Sequence, residues 1–303
     1  MGMTIEPTRN FVQCSSIAGL HQVAYWEWPA RHPTDATQTI LCAHGLTRNG
    51  RDFDALAEVL SEMHRVVCVD FVGRGDSDWL KDPMLYGVPQ YVADAVTLIA
   101  RLHLNNDKDL KKTSDLVWIG TSMGGLVGMV LAAMQNTPIR ALVLNDIGPE
   151  LAPEGVKRIS TYVGETPAMF SYRQAADYVI ANSASFGSHT PEQWELFTRH
   201  YVKQKQDQWV FNYDPAISVP FRLSLNQAVN LWPFYDAIKV PTHVLRGAQS
   251  DLFSEDIAKQ MTQRGPKAGL STFAKVGHAP SLLLPNQIQV VQQFIHSLSK
   301  GFQ

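Results

Sequence analysis

The chain has 303 residues, of which 45% are hydrophobic and 18% are charged, and its formal net charge at pH 7 is −2. This length and apolar content suffice for one large domain, or for two smaller ones, with a full hydrophobic core. A net charge this close to zero does not indicate binding to nucleic acid or to an anionic membrane. We interpret the basic cluster at residues 108–112 as a solvated loop. No apolar run reaches the roughly 18 residues that a membrane-spanning helix needs.

The cysteines and the N-terminal residues favour a cytoplasmic location. The three cysteines are an odd number in a long chain, and Cys42 and Cys68 fall within apolar strand-like runs, as buried reduced thiols do. The first ten residues contain no apolar segment of the kind that a signal peptide has. We therefore expect a protein of the reducing cytoplasm.

Strand-like and helix-like segments alternate along most of the chain. Loose alternation around Gly19 predicts an N-terminal β-hairpin over residues 11–28. The periodicity then predicts a strand at 39–43, a helix at 53–63, a strand at 66–70, a helix at 91–104, a strand at 116–119, a helix at 126–135 and a strand at 141–145. After a long interruption it predicts a strand at 243–246, a helix at 254–264, a strand at 272–276 and a helix at 286–298. This order predicts an α/β fold with a mainly parallel sheet and helices on both faces, whose ligands bind at the carboxyl ends of the strands.

The interruption at residues 147–236 looks helical and irregular, and it contains 15 aromatic residues against 14 in the rest of the chain. We interpret residues 147–236 as an inserted helical lid, called the cap below, and residues 1–146 with 237–303 as the core domain. We expect most of the aromatic side chains to form the hydrophobic core of the cap itself.

A nucleophile site is predicted at the segment Gly120-Thr121-Ser122-Met123-Gly124, which joins an apolar strand to an apolar helix. A serine at the tip of such a tight turn holds its hydroxyl clear of the backbone, and the two glycines remove side chains that would clash across the turn. The helix that follows directs its first amide groups toward the place where an oxyanion would form.

The hydroxyl of Ser122 needs a base, and the base needs an acid that orients it. His278 is the expected base because it lies in a loop directly after a predicted strand. Asp251 and Asp146 each follow a strand that should lie on one side of the strand leading to Ser122. We favour Asp251 as the acid because Gly247 and the small residues after it give a loop able to bend toward His278, and we keep Asp146 as the alternative.

An oxyanion hole needs two donors. Met123 N–H is one expected donor, and Leu46 N–H is the other because it follows the strand at 39–43. His44 and Gly45 are expected to support this loop, with His44 holding it by hydrogen bonds. The cysteines and histidines show no metal-ligand spacing, and no G-x-G-x-x-G follows a strand. We therefore expect catalysis without a cofactor and no metal site.

Together these segments resemble the α/β-hydrolase superfamily. Residues 44–45 look like its HG oxyanion loop, residues 70–77 like its D-x-x-G-x-G-x-S turn and residues 120–125 like its G-x-S-M-G-G elbow. Residues 247–251 and 277–278 resemble its late acid and histidine segments. The resemblance covers about the whole chain, and it implies a sheet of about eight strands with a helical cap between strands six and seven.

These residues predict a cofactor-independent serine hydrolase that cleaves a small, largely apolar carboxylic ester or lactone through an acyl-enzyme on Ser122. Two alternatives stay open, namely a carbon–carbon bond hydrolase of the meta-cleavage type and a non-catalytic ligand receptor on the same fold. The expected partner is a small-molecule substrate, not nucleic acid or a membrane, and a homodimer is left open.

The cap sequence bears on the substrate. Aromatic residues imply that part of its inner face is apolar, whereas a dicarboxylate would need fixed cations there. Four cap arginines leave an anionic substrate open. The aromatic examples are Trp194, Trp209, Trp232 and Phe234, and the arginines are Arg158, Arg173, Arg199 and Arg222.

Overall fold

A computed structural model describes residues 6–34, 36–104, 116–225, 227 and 229–300. The predicted loop at 108–112 lies outside these residues. Eight strands form one sheet in the order β1-β2-β4-β3-β5-β6-β9-β10. They are β1 (Thr8–Ser16), β2 (Gly19–Trp28), β3 (Thr39–Ala43), β4 (Arg65–Val69), β5 (Leu116–Thr121), β6 (Ile139–Asn145), β9 (Thr242–Gly247) and β10 (Gly269–Phe273).

The sheet is parallel from β4 to β10, and only the pairs β1–β2 and β2–β4 are antiparallel. Helices cover both faces of it, as the sequence predicts. Because side chains alternate along a strand, Leu41 of β3 packs with one core cluster while Ile40 and Cys42 pack with the other. The helices of the core are α1 (Asp54–Leu60), α2 (Val88–Leu104), α3 (Met123–Ala133), α9 (Glu255–Met261) and α10 (Pro285–Lys300).

The predicted element ends differ from the observed ones by a few residues, most clearly in the last strand. The sequence predicts that strand at 272–276, whereas β10 ends at Phe273, where its pairing with Gly247 of β9 stops. Beyond it the chain turns, and Lys275 has a φ of 60°. The apolar residues at 273–276 therefore belong partly to the turn that leads to His278.

The cap lies between β6 and β9 in the chain and contains helices together with one small hairpin. The hairpin of β7 (Val202–Lys205) and β8 (Gln208–Phe211) corrects the prediction of a purely helical and irregular segment. The division into cap and core at 147 and 236 stays a prediction. The cap helices are α4 (Pro153–Ser160), α5 (Tyr172–Asn182), α6 (Pro191–Thr198) and α7 (Ser218–Leu223), and α8 (Trp232–Ala237) leads back to the core.

Among the helices of the described chain, none combines the length and the apolar character that a membrane span requires.

Candidate active site

The turn between β5 and α3 holds Ser122 in a backbone conformation that few residues other than glycine adopt, with φ 52° and ψ −116°. Gly120 and Gly124 make this turn possible. A Cβ on Gly120 would lie 2.3 Å from the Gly124 carbonyl oxygen, and one on Gly124 would lie 2.1 Å from the Ala43 carbonyl oxygen. The geometry is that of the predicted nucleophile elbow, with the serine side chain turned toward the cavity below the cap.

Ser122, His278 and Asp146 form one hydrogen-bonded chain. The His278 Nε2 atom lies 3.0 Å from Ser122 Oγ, and Nδ1 lies 2.8 Å from Asp146 Oδ2. Asp146 is fully buried, and its carboxylate also accepts hydrogen bonds from Gly247 N–H at 2.7 Å and from the Ser250 hydroxyl at 2.5 Å. These donors stabilise the charged carboxylate in a site that water does not reach.

The preference for Asp251 as the partner of His278 is corrected by this geometry, because Asp146 occupies that position. Asp251 instead accepts two hydrogen bonds from Arg158 of the cap, at 2.5 and 2.9 Å. The Arg158 guanidinium lowers the pKa of the Asp251 carboxyl. Asp251 thus ties the loop after β9 to helix α4 of the cap.

Two unused backbone donors lie in the loop after β3 and at the start of α3. Within the described part of the chain, neither Leu46 N–H nor Met123 N–H donates a hydrogen bond to protein. The Gly124 N–H, by contrast, donates to the His44 carbonyl oxygen at 3.1 Å and so joins the elbow to this loop. The two free N–H groups are those that the sequence predicts for an oxyanion hole.

His44 holds the loop through both ring nitrogens, as expected from the sequence. Its Nδ1 atom lies 2.7 Å from the Gly45 carbonyl oxygen, and its Nε2 atom accepts a hydrogen bond from Phe71 N–H at 2.9 Å. Burial lowers the pKa of His44 to about 3. The ring is therefore neutral, and its Nε2 lone pair is free to accept the backbone hydrogen bond.

Arg74 is a structural residue of the site that sequence reasoning missed. Its fully buried guanidinium donates to the Leu46 carbonyl oxygen at 2.8 Å and to the Tyr91 hydroxyl at 2.7 Å, and it reaches the Met123 sulfur at 3.6 Å. Arg74 therefore positions both segments that carry the free N–H groups. The available signal was its place in the turn at 70–77, which the sequence singled out only as part of a family pattern.

A cavity between the core and the cap opens onto Ser122 and His278. Its wall combines apolar side chains with tyrosine hydroxyls and a few other polar groups, so it suits a small ligand of mixed character. The apolar part includes Leu46, Phe53, Ile159, Val179, Phe186, Phe197, Phe211 and Pro280. The polar part includes Thr47, Arg48, Asp52, Tyr162, Tyr178, Asn182, Tyr201, Tyr213 and Ser281.

The cap therefore does contribute an aromatic inner face, but not through the examples chosen from the sequence. Trp194 stacks edge-on against Phe197, and Trp209 does so against Tyr172, while Phe234 is 41% exposed. Trp232 packs on Tyr235 and on the Arg264 guanidinium at the base of the cap.

The four cap arginines lie outside the cavity wall as described, and each has an acidic partner. Their partners are Asp251 for Arg158, Asp177 for Arg173, Asp54 for Arg199 and Glu165 for Arg222. The guanidinium that does line the cavity is that of Arg48, from the core.

One buried cluster brings metal-ligating residue types together. Donor atoms of Cys14, His21 and Asp94 lie within 4.8 Å of one another, although their sequence spacing gave no metal pattern. His21 Nε2 is 3.0 Å from Asp94 Oδ1, and burial together with Asp94 raises the pKa of the Cys14 thiol to about 12. The cluster joins the N-terminal hairpin to α2.

The fold and this geometry agree with the family to which the chain belongs. The model of the alpha/beta hydrolase family matches residues 40–291, and the chain is a member of that family. A solved alpha/beta hydrolase of Novosphingobium aromaticivorans is 34% identical and has a TM-score of 0.84, with 97% of this chain and 99% of that chain covered.

Two similar proteins are, by name, a hydrolase and an esterase. A 3-hydroxybutyrate-oligomer hydrolase of Cupriavidus necator is 45% identical over 303 aligned residues, which cover 96% of this chain and 99% of the relative. An esterase of Mycobacterium tuberculosis is 23% identical over 245 residues, which cover 79% of this chain and 76% of the relative. The chain is accordingly an ester hydrolase.

Proposed function

We propose that the protein hydrolyses oligomers of 3-hydroxybutyrate or closely similar short hydroxyacid esters, with Ser122 as nucleophile, His278 as base and Asp146 as the acid that orients it. The observation that carries the mechanism is the hydrogen-bonded chain from Ser122 Oγ through His278 to the buried Asp146 carboxylate. The choice of substrate is supported by the 45% identical relative from Cupriavidus necator.

In the proposed reaction, Ser122 Oγ attacks the ester carbonyl carbon while His278 Nε2 accepts the hydroxyl proton. The negative oxygen is held by Leu46 N–H and Met123 N–H, which are unused in the described protein. His278 then gives the proton to the departing alcohol as the ester C–O bond breaks. Water then attacks the acyl-enzyme while His278 accepts its proton, and His278 returns this proton to Ser122 Oγ as the bond from Oγ to the acyl carbon breaks. None of these steps needs a cofactor.

The test is hydrolysis of a 3-hydroxybutyrate dimer by wild type and by Ser122→Ala, followed by chromatography of the monomer. The variant should lose at least ~10^4-fold in kcat, because the oxyanion donors alone leave only a residual rate. Ser297→Ala, which changes an exposed serine of α10, serves as the control. Wild-type rates from a folded Ser122→Ala protein would rule the mechanism out.

The same assay separates the proposal from the carbon–carbon hydrolase alternative. A meta-cleavage dienoate and p-nitrophenyl butyrate are run beside the dimer at equal enzyme concentration. We expect kcat/KM to be highest for the ester substrates. A dienoate preferred by 100-fold or more would replace this proposal with carbon–carbon hydrolysis. The cytoplasmic location and the homodimer stay predictions, which cell fractionation and light scattering would test.

A further inference from the structure

We propose that Arg48 binds the free carboxylate at the acid end of the substrate and thereby directs cleavage to the ester bond nearest that end. The inference rests on the proposed ester hydrolysis at Ser122. It adds that the cavity selects substrates with a free carboxylate close to the scissile ester bond. It is carried by the position of one buried guanidinium in a wall that otherwise consists of apolar, hydroxyl and amide groups, the His278 imidazole and one carboxylate.

Arg48 stands close to the nucleophile. It follows the oxyanion loop in sequence, is 8% exposed and lines the same cavity as Ser122. A Cβ placed on Gly45 would lie 3.8 Å from Ser122 Cβ and 3.9 Å from Arg48 Cγ. Both side chains therefore lie within 4 Å of the same point beside Gly45.

The guanidinium is held rigidly while part of it stays available. Its Nε and Nη2 atoms donate to the Asp52 carboxylate at 2.7 and 2.6 Å, and Nη2 also donates to the Phe197 carbonyl oxygen at 2.7 Å. The rings of Phe197 and Tyr201 lie 3.7 and 4.2 Å from its central carbon. Nη1 donates to no group of the described protein. The two N–H bonds of Nη1 thus remain for a ligand carboxylate, while the other donors hold the guanidinium in place.

The charges around the cavity make Arg48 the natural anchor for an anion. No other arginine and no lysine of the described residues lines the wall, and His44 beneath it is neutral. Asp52 offsets the charge of Arg48, so an incoming carboxylate must share the guanidinium with it. Burial already raises the pKa of Asp52, and an added anion would favour its neutral form further.

The chemistry of a hydroxyacid oligomer fits this distance. In a 3-hydroxybutyrate dimer, only the ester oxygen and two carbons separate the scissile carbonyl from the free carboxylate. A cation that binds this carboxylate must therefore lie near the nucleophile, as Arg48 does. In a longer oligomer only the last ester bond has the same spacing, so one monomer should leave from the acid end in each catalytic cycle.

The experiment compares two dimers that differ only at the acid end, one with the free carboxylate and one with a carboxamide. The carboxamide has the same shape but no charge. For wild type we expect kcat/KM for the acid to exceed that for the amide at least ~10-fold, the scale of charge-assisted hydrogen bonds to a buried cation. Arg48→Gln should reduce this ratio to near one, mainly through KM.

Two further variants keep the result interpretable. If Arg48→Gln alone fails to fold because the Asp52 carboxylate is left buried and unpaired, the double variant Arg48→Gln/Asp52→Asn removes both charges. It should also lose the preference for the acid over the amide. Arg173→Gln removes an exposed cap arginine outside the wall and should keep the wild-type ratio. An unchanged ratio in a folded Arg48 variant, or no preference in wild type, overturns the inference while ester hydrolysis stands. Failure of wild type to cleave either dimer would overturn the proposed function itself.

Discussion

Several features of Asp146 fix its carboxylate in the orientation that contacts His278. Its backbone has a φ of 53°, a conformation that aspartate tolerates better than most residues. Gly247 N–H binds Oδ1, whereas Oδ2 receives both the Ser250 hydroxyl and His278. The carboxylate is therefore fixed from the strand beside it and has no freedom to turn away from the imidazole.

Replacing each aspartate in turn tests which of them orients His278. Asp146→Asn should lower kcat on the dimer by about 10^3- to 10^4-fold with little change in KM, because an amide stabilises the wrong histidine tautomer. Asp251→Asn should cost less than about 10-fold, since its partly exposed pair with Arg158 is screened by solvent. Steady-state kinetics on both purified variants decides. The opposite ranking would return the acid to Asp251.

The contact between Ser122 and His278, the proposed nucleophile and base, was predictable from sequence because the signals of both residues are local. Ser122 lies between two glycines at a strand-to-helix junction, and His278 lies in a loop directly after a strand. The carboxylate that contacts His278 was not predictable, because Asp146 and Asp251 follow neighbouring strands of the sheet. The choice between them depends on Arg158, which lies 93 residues from Asp251 in the chain and draws its carboxylate toward the cap. No short-range pattern encodes that contact.

The oxyanion loop and the elbow form one unit, since helix α3 packs its first turn directly on strand β3. The Gly124 N–H donates to His44, and the Gly124 Cα faces the Ala43 carbonyl so closely that no Cβ fits. The Arg74 side chain bridges the same two segments from below. The position of the two free N–H groups is thus a property of two packed elements.

Alanine substitutions at two glycines of this unit compare a position that has no space for a methyl group with one that has space for it. Gly124→Ala places a methyl group against backbone atoms that cannot move aside, so it should destabilise the fold by at least about 1–3 kcal/mol. Gly45→Ala places its methyl at ordinary contact distance, with 3.8 Å as the nearest approach, and should leave stability almost unchanged. Urea denaturation followed by circular dichroism measures both. Equal stability of the two variants would contradict this view of the elbow.

The alternating elements of the core were predictable because the central strands β3, β4, β5, β6 and β9 are buried on both faces, and because α2 and α10 have apolar stripes. The β7–β8 hairpin of the cap was not predictable in the same way. Val202–Lys205 is largely polar and Gln208–Phe211 has only one fully buried residue, so neither shows the pattern of a core strand. Their pairing depends on a tight turn and on contacts with the cap helices.

At the scale of the whole molecule, the cap is attached to the core around the rim of the cavity. The Asn49 amide donates to the His200 carbonyl oxygen at 2.7 Å, and the Tyr201 hydroxyl donates to Thr47 Oγ1 at 3.1 Å. On another side Gly75 N–H binds the Asn212 carbonyl oxygen at 2.9 Å. The residues that follow the loop after β3 therefore also hold the cap.

Buried titratable groups beneath this loop make the stability of the molecule depend on pH in opposite directions. Burial lowers the pKa of His44 to about 3, so its contribution to stability is complete above the unfolded value near ~6.5 and is lost as the pH falls toward 3. Burial raises the pKa of Asp70 to about 6, so its contribution is complete below the unfolded value near ~3.9 and is lost as the pH rises through 6. The two effects oppose each other between pH 4 and 6.

Comparison with His44→Gln isolates the histidine contribution, because both proteins retain Asp70. Wild type should be the more stable protein at pH 7, and the difference in unfolding free energy should narrow by about 3 kcal/mol on going to pH 4 as the wild-type ring resists protonation. Phe71→Leu is the control, since the Phe71 ring packs edge-on against His44 at 5.3 Å and its loss costs packing at every pH. Urea titrations at several pH values measure the differences. For Phe71→Leu, the difference in unfolding free energy from wild type should stay constant with pH. If the difference for His44→Gln is equally constant, His44 is not held neutral by burial.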